Sequence, residues 1–265
     1  MTIDVKIIED SISDAGARIT TFQLKYPRFI HSEIMTHRVL SRNASSSRAI
    51  PLLKSIKNIL ADIAVPVHWG KNKPGMQATE ELSGFARFAS ESVWKLSGYV
   101  SCGFAYLMSK CGTHKQIANR IIEPWSHIGV VLTATEFDNF FELRCHADAQ
   151  PEFRELACRM RNMLRISVPV NRQYHLPYVS EQERIDFDFY DCIAMSAARC
   201  ARVSYLLHDG TKTSYEKDFE LYDKLVKSTP RHCSPVEHQA IQFDDPDKVS
   251  RNFVGWLQAR ELLGF

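Results

Sequence analysis

The sequence predicts an α+β fold with more helix than strand. Two β-branched, partly alternating stretches at 3–9 and 17–24 show the period of two that half-buried strands have. A third, apolar run at 127–133 (HIGVVLT) is typical of a buried strand. Several longer segments space their apolar residues three or four apart, which is the spacing of one helix face.

The other elements follow from the same two periods. Residues 28–40 have helical apolar spacing and follow Pro27, where a helix can begin. A polar loop follows at 41–48, and a Pro-, Gly- and Lys-rich loop spans 66–78. A further strand is expected near 237–243. Helical spacing predicts helices at 51–63, 79–110, 114–122, 136–146, 149–166, 189–203, 214–227 and 247–262. Residues expected to be buried in 79–110 include Phe85, Phe88, Val93, Leu96, Phe104 and Leu107.

Composition indicates an ordinary globular protein. The 265 residues are 45% hydrophobic and 24% charged, and can bury a substantial core as one large domain or two small ones. The formal net charge of +2 argues against a dedicated nucleic-acid binder. Seven irregularly spaced cysteines without a CxxC pair argue against a disulfide framework and a zinc ribbon. We therefore expect a reducing, cytoplasmic location.

Several common sites and segments are not expected. The chain has no GxGxxG after a strand, no GxxxxGK[ST] and no HExxH, and its histidines show no metal-ligand spacing. We expect no metal site. The start of the chain lacks the basic and apolar regions of a signal peptide, and no apolar run reaches the roughly 18 residues of a membrane span.

The densest cluster of ligand-binding side chains lies at 36–48 (THRVLSRNASSSR). It holds one His, three Arg, one Asn and four Ser. Guanidinium and hydroxyl groups bind phosphates and other planar anions. In an extended segment Ser46 and Arg48 would share a face and could clamp a phosphate. The alternatives are a solvated Ser-rich loop and a helix C-terminus where cations are favourable.

This segment resembles the RHRxxSxNExSxR motif of the flavin-dependent thymidylate synthases. Thr36 and Ala44 replace the first Arg and the Glu of that motif. Residues 114–124 resemble the family's KExARxxLP segment, with Arg120 as the equivalent arginine. The positions that match the RHR motif without a gap are His37, Arg38, Ser41, Asn43, Ser46 and Arg48.

Two more segments are similar to patterns of this family. Residues 133–154 resemble NARSLxxFLxLRxxxxAQxEIR, with Asn139 and Arg144 among the matches and Thr133 and Thr135 in place of the family's Asn and Arg. Residues 231–238 (RHCSPVEH) resemble GHxSPxEH, although Ser-x-x-Glu is also a helix capping box. In the family this block precedes the RHR motif. The chain therefore resembles a circularly permuted, divergent member of the kind often found in bacteriophages.

The resemblance implies a fold, a reaction and an assembly. The fold is a helix-rich single domain over 1–265 with a central antiparallel or mixed sheet flanked by helices. Residues 1–168 would carry the RHR-like motif and the nucleotide-site helices, and 189–265 the flavin block. The reaction is transfer of a one-carbon unit from methylenetetrahydrofolate to C5 of dUMP, with FAD as cofactor and NADPH as reductant, in a homotetramer. Neither a membrane nor a nucleic acid is expected as partner.

The resemblance also assigns roles to individual residues. Arg144 is the catalytic candidate, since a fixed guanidinium can stabilise negative charge on the pyrimidine. The substrate-binding candidates are Glu33, Ser46, Arg48, Arg120 and Arg144. The flavin-binding candidates are His37, Arg38, Asn43, Asn139, His232, Ser234 and Glu237.

The departures at Thr36 and Ala44 leave other functions open. One is hydroxymethylation of dUMP for modified phage DNA. Another is a nucleotide-binding homologue that has lost the chemistry and need not hold flavin. A nucleic-acid module that uses the basic 36–48 segment is the weakest alternative, because such binding depends on a larger positive charge than this chain carries.

Overall fold

The fold is α+β, as predicted, and is built around a five-stranded sheet. The computed structural model describes residues 3–75, 78–204 and 214–265, so residues 76 and 77 of the predicted 66–78 loop lie outside the described residues. The sheet has the order β3-β4-β2-β1-β5. Neighbouring strands are antiparallel, except that β1 and β5 are parallel. Its strands are β1 (Asp4–Ile12), β2 (Arg18–Pro27), β3 (Ser41–Ala44), β4 (His127–Ala134) and β5 (Val170–Asn171).

One face of this sheet carries the main core. Alternate residues of a strand share a side, so Phe22 and Leu24 of β2 point to the same face as Val130 of β4. That face packs against α1 (His31–Ile34), α5 (Asp138–Arg144) and α6 (Pro151–Ile166). The rings of Phe140 and Phe153 lie 5.9 Å apart in this core and join α5 to α6.

The helix predicted at 28–40 and the loop predicted at 41–48 are both wrong in part. A 3-10 turn (Arg28–Ile30) leads into α1, which ends at Ile34. Residues 41–44 form β3, with Asn43 opposite Val131. The sequence pattern could not show this, because β3 becomes a strand only by pairing with the free edge of β4.

A second core lies beneath α2 (Leu52–Ala61), α3 (Gly84–Lys110) and α4 (Lys115–Ala118). The helix predicted at 114–122 is shorter than expected, because a 3-10 segment (Asn119–Trp125) that contains Pro124 follows α4. After this 3-10 segment, the chain enters β4 of the main sheet.

The six residues expected to be buried in 79–110 are exposed, from 56% for Phe104 to 82% for Phe85. Toward its own chain, α3 buries the small residues Gly98, Cys102 and Ala105 instead. A Cβ on Gly98 would lie 2.6 Å from Ile63 Cδ1, so only glycine permits this approach. Apolar spacing located the helix but could not distinguish a face covered by the same chain from one left open.

The C-terminal part packs against the β3–β4 edge. A three-stranded sheet has the order β10-β7-β6, and β8 and β9 form a separate pair. The helix predicted at 247–262 is wrong except for its end, Ala259–Leu262, because Arg251 and Gly255 have positive φ angles of 57° and 75° that interrupt it. These elements are β6 (Tyr174–His175), α7 (Glu181–Asp186), α8 (Phe189–Ala201), α9 (Tyr215–Tyr222), β7 (Ala240–Gln242), β8 (Val249–Ser250), β9 (Phe253–Val254), β10 (Trp256–Gln258) and α10 (Ala259–Leu262).

Within the described ranges, no helix is long and apolar enough to cross a membrane. Arg199 of α8 is part of the scaffold. Arg199 donates to Glu183 at 2.6 Å and to the fully buried Asp218 at 2.7 Å. These ion pairs hold α7 and α9 against α8.

Candidate active site

The candidate site begins where α1 ends, at residues 33–37. Arg42 on β3 donates from Nη1 to the carbonyl oxygens of Ile34 and His37, each at 2.8 Å. The last carbonyl groups of a helix have no partner within the helix, and this guanidinium supplies one. The arrangement fixes the chain direction between α1 and β3.

His37 is a buried hydrogen-bond acceptor in this segment. Its ring meets Phe140 edge-on, with the ring centroids 5.0 Å apart, and its Nε2 accepts a hydrogen bond from Arg144 Nε at 2.8 Å. Burial lowers the pKa of His37, and the positive charges of Arg144 and Arg42 lower it further. A neutral imidazole with a free lone pair on Nε2 satisfies both observations.

Arg144 joins three groups of the 33–37 segment. Besides His37, its Nη2 donates to Thr36 Oγ1 at 3.4 Å and its Nη1 lies 3.7 Å from Glu33 Oε2. The guanidinium carbon lies 4.7 Å from the centre of the Phe153 ring, so a cation–π contact holds it from below. The structure thus brings together Glu33 and Arg144 of the predicted substrate-binding set with His37 of the predicted flavin-binding set.

Glu33 stands where the resemblance places a glutamine. Burial raises the pKa of its carboxyl group and the charge of Glu152 adds to this, while Arg144 opposes both. The ion pair at 3.7 Å is at the long end of the range, so Arg144 is not fully committed to Glu33. Thr36, in place of the family's first Arg, donates its hydroxyl to the Glu33 carbonyl at 2.7 Å and closes a turn.

Ser46 and Arg48 do not share an extended face, which corrects the prediction. The Ser46 carbonyl accepts a hydrogen bond from Ala49 N at 3.0 Å, so a turn begins there. Ser46 is half-buried, whereas Arg48 is exposed and has no ion pair with any described residue. Arg120 is also exposed, and its ion pair among the described residues is with Glu123, at 3.3 Å; neither arginine contacts the Arg144 cluster in the described part of the chain.

The C-terminal block lies beside β3, although about 200 residues separate them. The 3-10 turn Ser234–Val236 contacts β3. Gln258 Nε2 donates to Ser41 Oγ at 3.2 Å and to the Glu237 carbonyl at 3.1 Å. Asn252 Nδ2 donates to the Val39 carbonyl at 2.9 Å. These bonds join the RHR-like segment to the SPxEH-like segment.

The remaining predicted flavin-binding side chains are either already paired within the protein or exposed to solvent. Glu237 accepts from Arg260 Nη1 at 2.5 Å and is therefore already paired. His232 and Ser234 are exposed, as are Arg38 in the RHR-like segment and Asn139 on α5. The structure gives Arg38 and Asn139 no hydrogen bond to the described part of the chain. Their side chains are free to meet an added ligand.

Buried hydroxyl and imidazole groups connect the block to the main sheet. Thr133 Oγ1 lies 2.8 Å from His238 Nδ1 and 2.7 Å from Thr21 Oγ1, which in turn lies 2.7 Å from His175 Nε2. Burial lowers the pKa of His238 to about 3 and lowers that of His175, so both rings are neutral. Thr135 accepts from Val254 N at 3.0 Å. The two threonines at positions where the family has Asn and Arg thus serve as structural ties.

Several buried polar atoms at this junction lack a hydrogen-bond partner among the described residues. They include Asn43 Nδ2, His238 Nε2 and Gln258 Oε1. Buried polar atoms in native proteins nearly always find a partner, in water or a ligand if not in protein. Sequence reasoning identified Asn43 but missed Gln258, Asn252 and Arg260, because no motif marks residues whose role is to bridge two distant segments.

Comparison with known proteins locates the similarity in the first part of the chain. The sequence model of the family described as "Thymidylate synthase complementing protein" matches residues 18–170, more than half of the chain. The match includes β2, β3, β4, α5 and α6 and ends before the C-terminal block. A search of the curated proteins found no match.

Solved structures share the fold at low sequence identity. The UMP/dUMP methylase PolB from Streptomyces cacaoi, bound with 5-Br dUMP, has a TM-score of 0.51 and 17% identity over 62% of this chain and 90% of that chain. Its complex with 5-Br UMP gives 0.50 and 18% over 62% and 88%. The flavin-dependent thymidylate synthase ThyX from Helicobacter pylori, complexed with FAD and dUMP, gives 0.39 and 17% over 55% and 67%, too low to add to the argument.

Proposed function

The chain belongs to the thymidylate synthase complementing protein family, and on that premise we propose that it is a flavin-dependent enzyme that modifies C5 of dUMP. The proposed reaction transfers a one-carbon unit from methylenetetrahydrofolate and yields thymidylate, with NADPH as the reductant. The seven cysteines are all free, which is consistent with the proposed cytoplasmic location.

The arrangement around Arg144 carries the proposal. A guanidinium supported by Phe153 and His37 faces the segment where the family resemblance expects the nucleotide. A pyrimidine ring attacked at C6 or deprotonated at C5 gains negative charge, which a fixed cation in a partly dry site stabilises. Because Glu33 pairs with Arg144 only loosely, an arriving nucleotide could replace the carboxylate as its partner.

The residues beside β3 fit a flavin ring. Such a ring carries carbonyl oxygens and ring nitrogens that need donors, and Asn43 Nδ2 is a buried donor without a partner among the described residues. The exposed side chains of Arg38, Asn139, His232 and Ser234 would supply further contacts, and Glu237 would act while held by Arg260. When bound, FAD would supply the redox chemistry of the transfer, and these residues would hold and orient it.

We also propose that the site is completed between copies of the chain. Arg48 and Arg120, two of the substrate-binding candidates, are exposed, and neither contacts the Arg144 cluster within the described part of one copy. The exposed apolar side of α3, formed by Phe85, Phe88, Leu96, Phe104 and Leu107, is the proposed contact surface. A row of large apolar side chains along 27 residues of helix is typical of a protein–protein interface. A homotetramer is the proposed assembly.

The experiment that tests the function is mass spectrometry of the nucleotide after incubation with the purified protein. The mixture contains dUMP, methylenetetrahydrofolate, FAD and NADPH, and flavin binding is followed separately by fluorescence. We expect dUMP to gain the mass of one methylene unit. The Arg144→Gln variant provides the comparison and should leave dUMP unchanged.

Each other result has a defined meaning. A hydroxymethylated product would replace thymidylate synthesis by the hydroxymethylase alternative and would attribute the change to Thr36 and Ala44. Unchanged dUMP with bound flavin would contradict the synthase proposal. Unchanged dUMP without bound flavin would favour the non-catalytic nucleotide binder.

A further inference from the structure

A second cleft lies on the sheet face opposite the Arg144 cluster. It measures about 560 Å³, within the size range of small-molecule sites. One wall is the open face of β1, β2 and β4, and the other is α2 with the 3-10 segment Asn119–Trp125. None of the residues assigned above to nucleotide or flavin lines it.

Arg28 is the central charged group of this cleft. Its Nε donates to Ser126 Oγ at 3.2 Å and its Nη2 donates to the Ser45 carbonyl at 3.1 Å. These two bonds fix the guanidinium plane, and Nη1 has no hydrogen bond to any described residue. Burial lowers the pKa of Arg28, and the negative charge of Glu123 opposes this only in part. A half-buried guanidinium without an ion-pair partner is the group that a bound anion would stabilise.

The other charges of the cleft favour the same ligand. Lys6 on β1 and Lys54 on α2 line opposite sides, and neither has an ion pair with the described residues. Lys25 and Asp62 neutralise each other at 2.8 Å, and Glu123 pairs with Arg120. Among the described lining residues, Arg28, Lys6 and Lys54 therefore face the carboxylates of Asp4 and Glu123, which leaves a small excess of positive charge.

The serine-rich segment after β3 supplies two hydroxyl groups to the cleft. Ser45 and Ser47 line it, whereas Ser46 between them does not. Ser45 also fixes the floor, because Gly129 N donates to its Oγ at 3.1 Å. Ile50, Ile59, Ile122 and Val203 give the cleft an apolar wall.

We propose that this cleft is a second binding site, for a small molecule that carries a phosphate or carboxylate group on a flat apolar body. The oxyanion would bind at Arg28 with Lys54 and Lys6 at the rim, and the body would lie against the isoleucines. The proposal does not depend on the reaction at Arg144, because the sheet separates the two sites.

Two probes test the site and distinguish the two classes of ligand that could carry the anionic group. Phenyl phosphate presents a phosphate on a ring, and 4-aminobenzoylglutamate presents carboxylates on a ring. Each is titrated into ¹⁵N-labelled protein while amide shifts are recorded by NMR. We expect shifts in β1, β2 and α2, and we expect Lys54→Gln to raise the Kd roughly threefold or more.

Lys57→Gln is the matched control. Lys57 is also exposed on α2, but it does not line the cleft, so its variant should bind both probes as the unmodified protein does. Arg144→Gln should also bind them normally, which separates this site from the active site. Arg28→Met should abolish the shifts of the cleft amides, while the rest of the spectrum should remain that of a folded protein.

The probe that binds more tightly identifies the class of ligand. Tighter binding of phenyl phosphate indicates a nucleotide-type ligand, and tighter binding of 4-aminobenzoylglutamate indicates a folate-type ligand. The proposal is overturned if neither probe shifts the cleft amides. It is equally overturned if Lys54→Gln and Lys57→Gln have the same Kd.

Discussion

At the residue scale, the contacts of Arg144 depend more on the planar shape of its guanidinium group than on its positive charge. Its planar fork meets Glu33, Thr36 and His37 at the same time, while its face lies over Phe153. A lysine ammonium is a compact point charge and cannot reproduce this set of contacts. The neutral state of His37 completes the arrangement, because a protonated ring could not accept from Arg144 Nε.

The variant Arg144→Lys tests this role. We expect dUMP affinity to fall about 10- to 100-fold, since hydrogen bonds to charged groups contribute roughly 1.5–3 kcal/mol. Isothermal titration with dUMP measures the change. Arg165→Lys, at an exposed position in the last turn of α6, is the control and should bind normally. Equal affinity of the two variants would show that Arg144 does not contact the nucleotide.

At the element scale, the site depends on the contact between β3 and the Ser234–Val236 turn. Gln258 bridges them, since its amide nitrogen donates to Ser41 Oγ and to the Glu237 carbonyl. Its Oε1 is buried without a partner in the described structure, which is unfavourable for stability. We therefore infer that Gln258 serves to position β3 relative to the Ser234–Val236 turn rather than to add stability.

We therefore expect Gln258→Met to separate stability from flavin binding. Methionine has a similar volume and removes the unpaired carbonyl, which offsets part of the loss when Ser41 Oγ and the Glu237 carbonyl lose their donor, so the free energy of unfolding should fall by no more than about 2 kcal/mol. FAD affinity should fall about tenfold, because β3 and the turn would no longer be fixed relative to each other. Urea unfolding and flavin fluorescence measure the two quantities.

Gln239→Met is the matched control. Gln239 is also fully buried, but among the described residues its side-chain amide donates to Ser196 and Cys200 of α8 rather than to β3 or the turn. FAD should bind this variant normally, even if its stability falls. A loss of stability in Gln258→Met without a loss of FAD affinity would make Gln258 a purely structural residue.

At the scale of the whole molecule, the open side of α3 and the isolated arginines indicate a larger assembly. The apolar side chains of α3 remain exposed although each has enough area to stabilise a core. Arg48 and Arg120 lie at the surface, away from Arg144. A second copy that covered α3 and brought its own arginines would account for both features.

The variant Phe88→Glu tests the assembly. Light scattering after gel filtration should give a multiple of the 30.4 kDa chain mass for the unmodified protein and 30.4 kDa for the variant. A carboxylate in an apolar interface loses its hydration without gaining a partner, which disfavours association. Lys57→Glu, an exposed change on α2, should leave the assembly intact. A monomeric unmodified protein would refute the proposal.

How far the sequence could go differs between elements. The period-two stretches predicted β1 and β2, the apolar run at 127–133 predicted β4, and apolar spacing predicted α2, α5, α6 and α8, because these patterns arise from local geometry. The sequence pattern did not predict β3, which forms only by pairing with the edge of β4, or the bends at Arg251 and Gly255. Nor could it show that the apolar residues of α3 point away from their own chain.

The same division holds for the site. By itself, the sequence determined the side chains of the RHR-like and SPxEH-like segments and, through them, the family, because chemistry and spacing are local properties. Only the tertiary structure decided that Arg144 meets Glu33 and His37, that Gln258 joins the two segments, and that Ser45 and Ser47, but not Ser46, line the second cleft. Such contacts join residues up to about 200 positions apart, and their free energy depends on packing that no local pattern encodes.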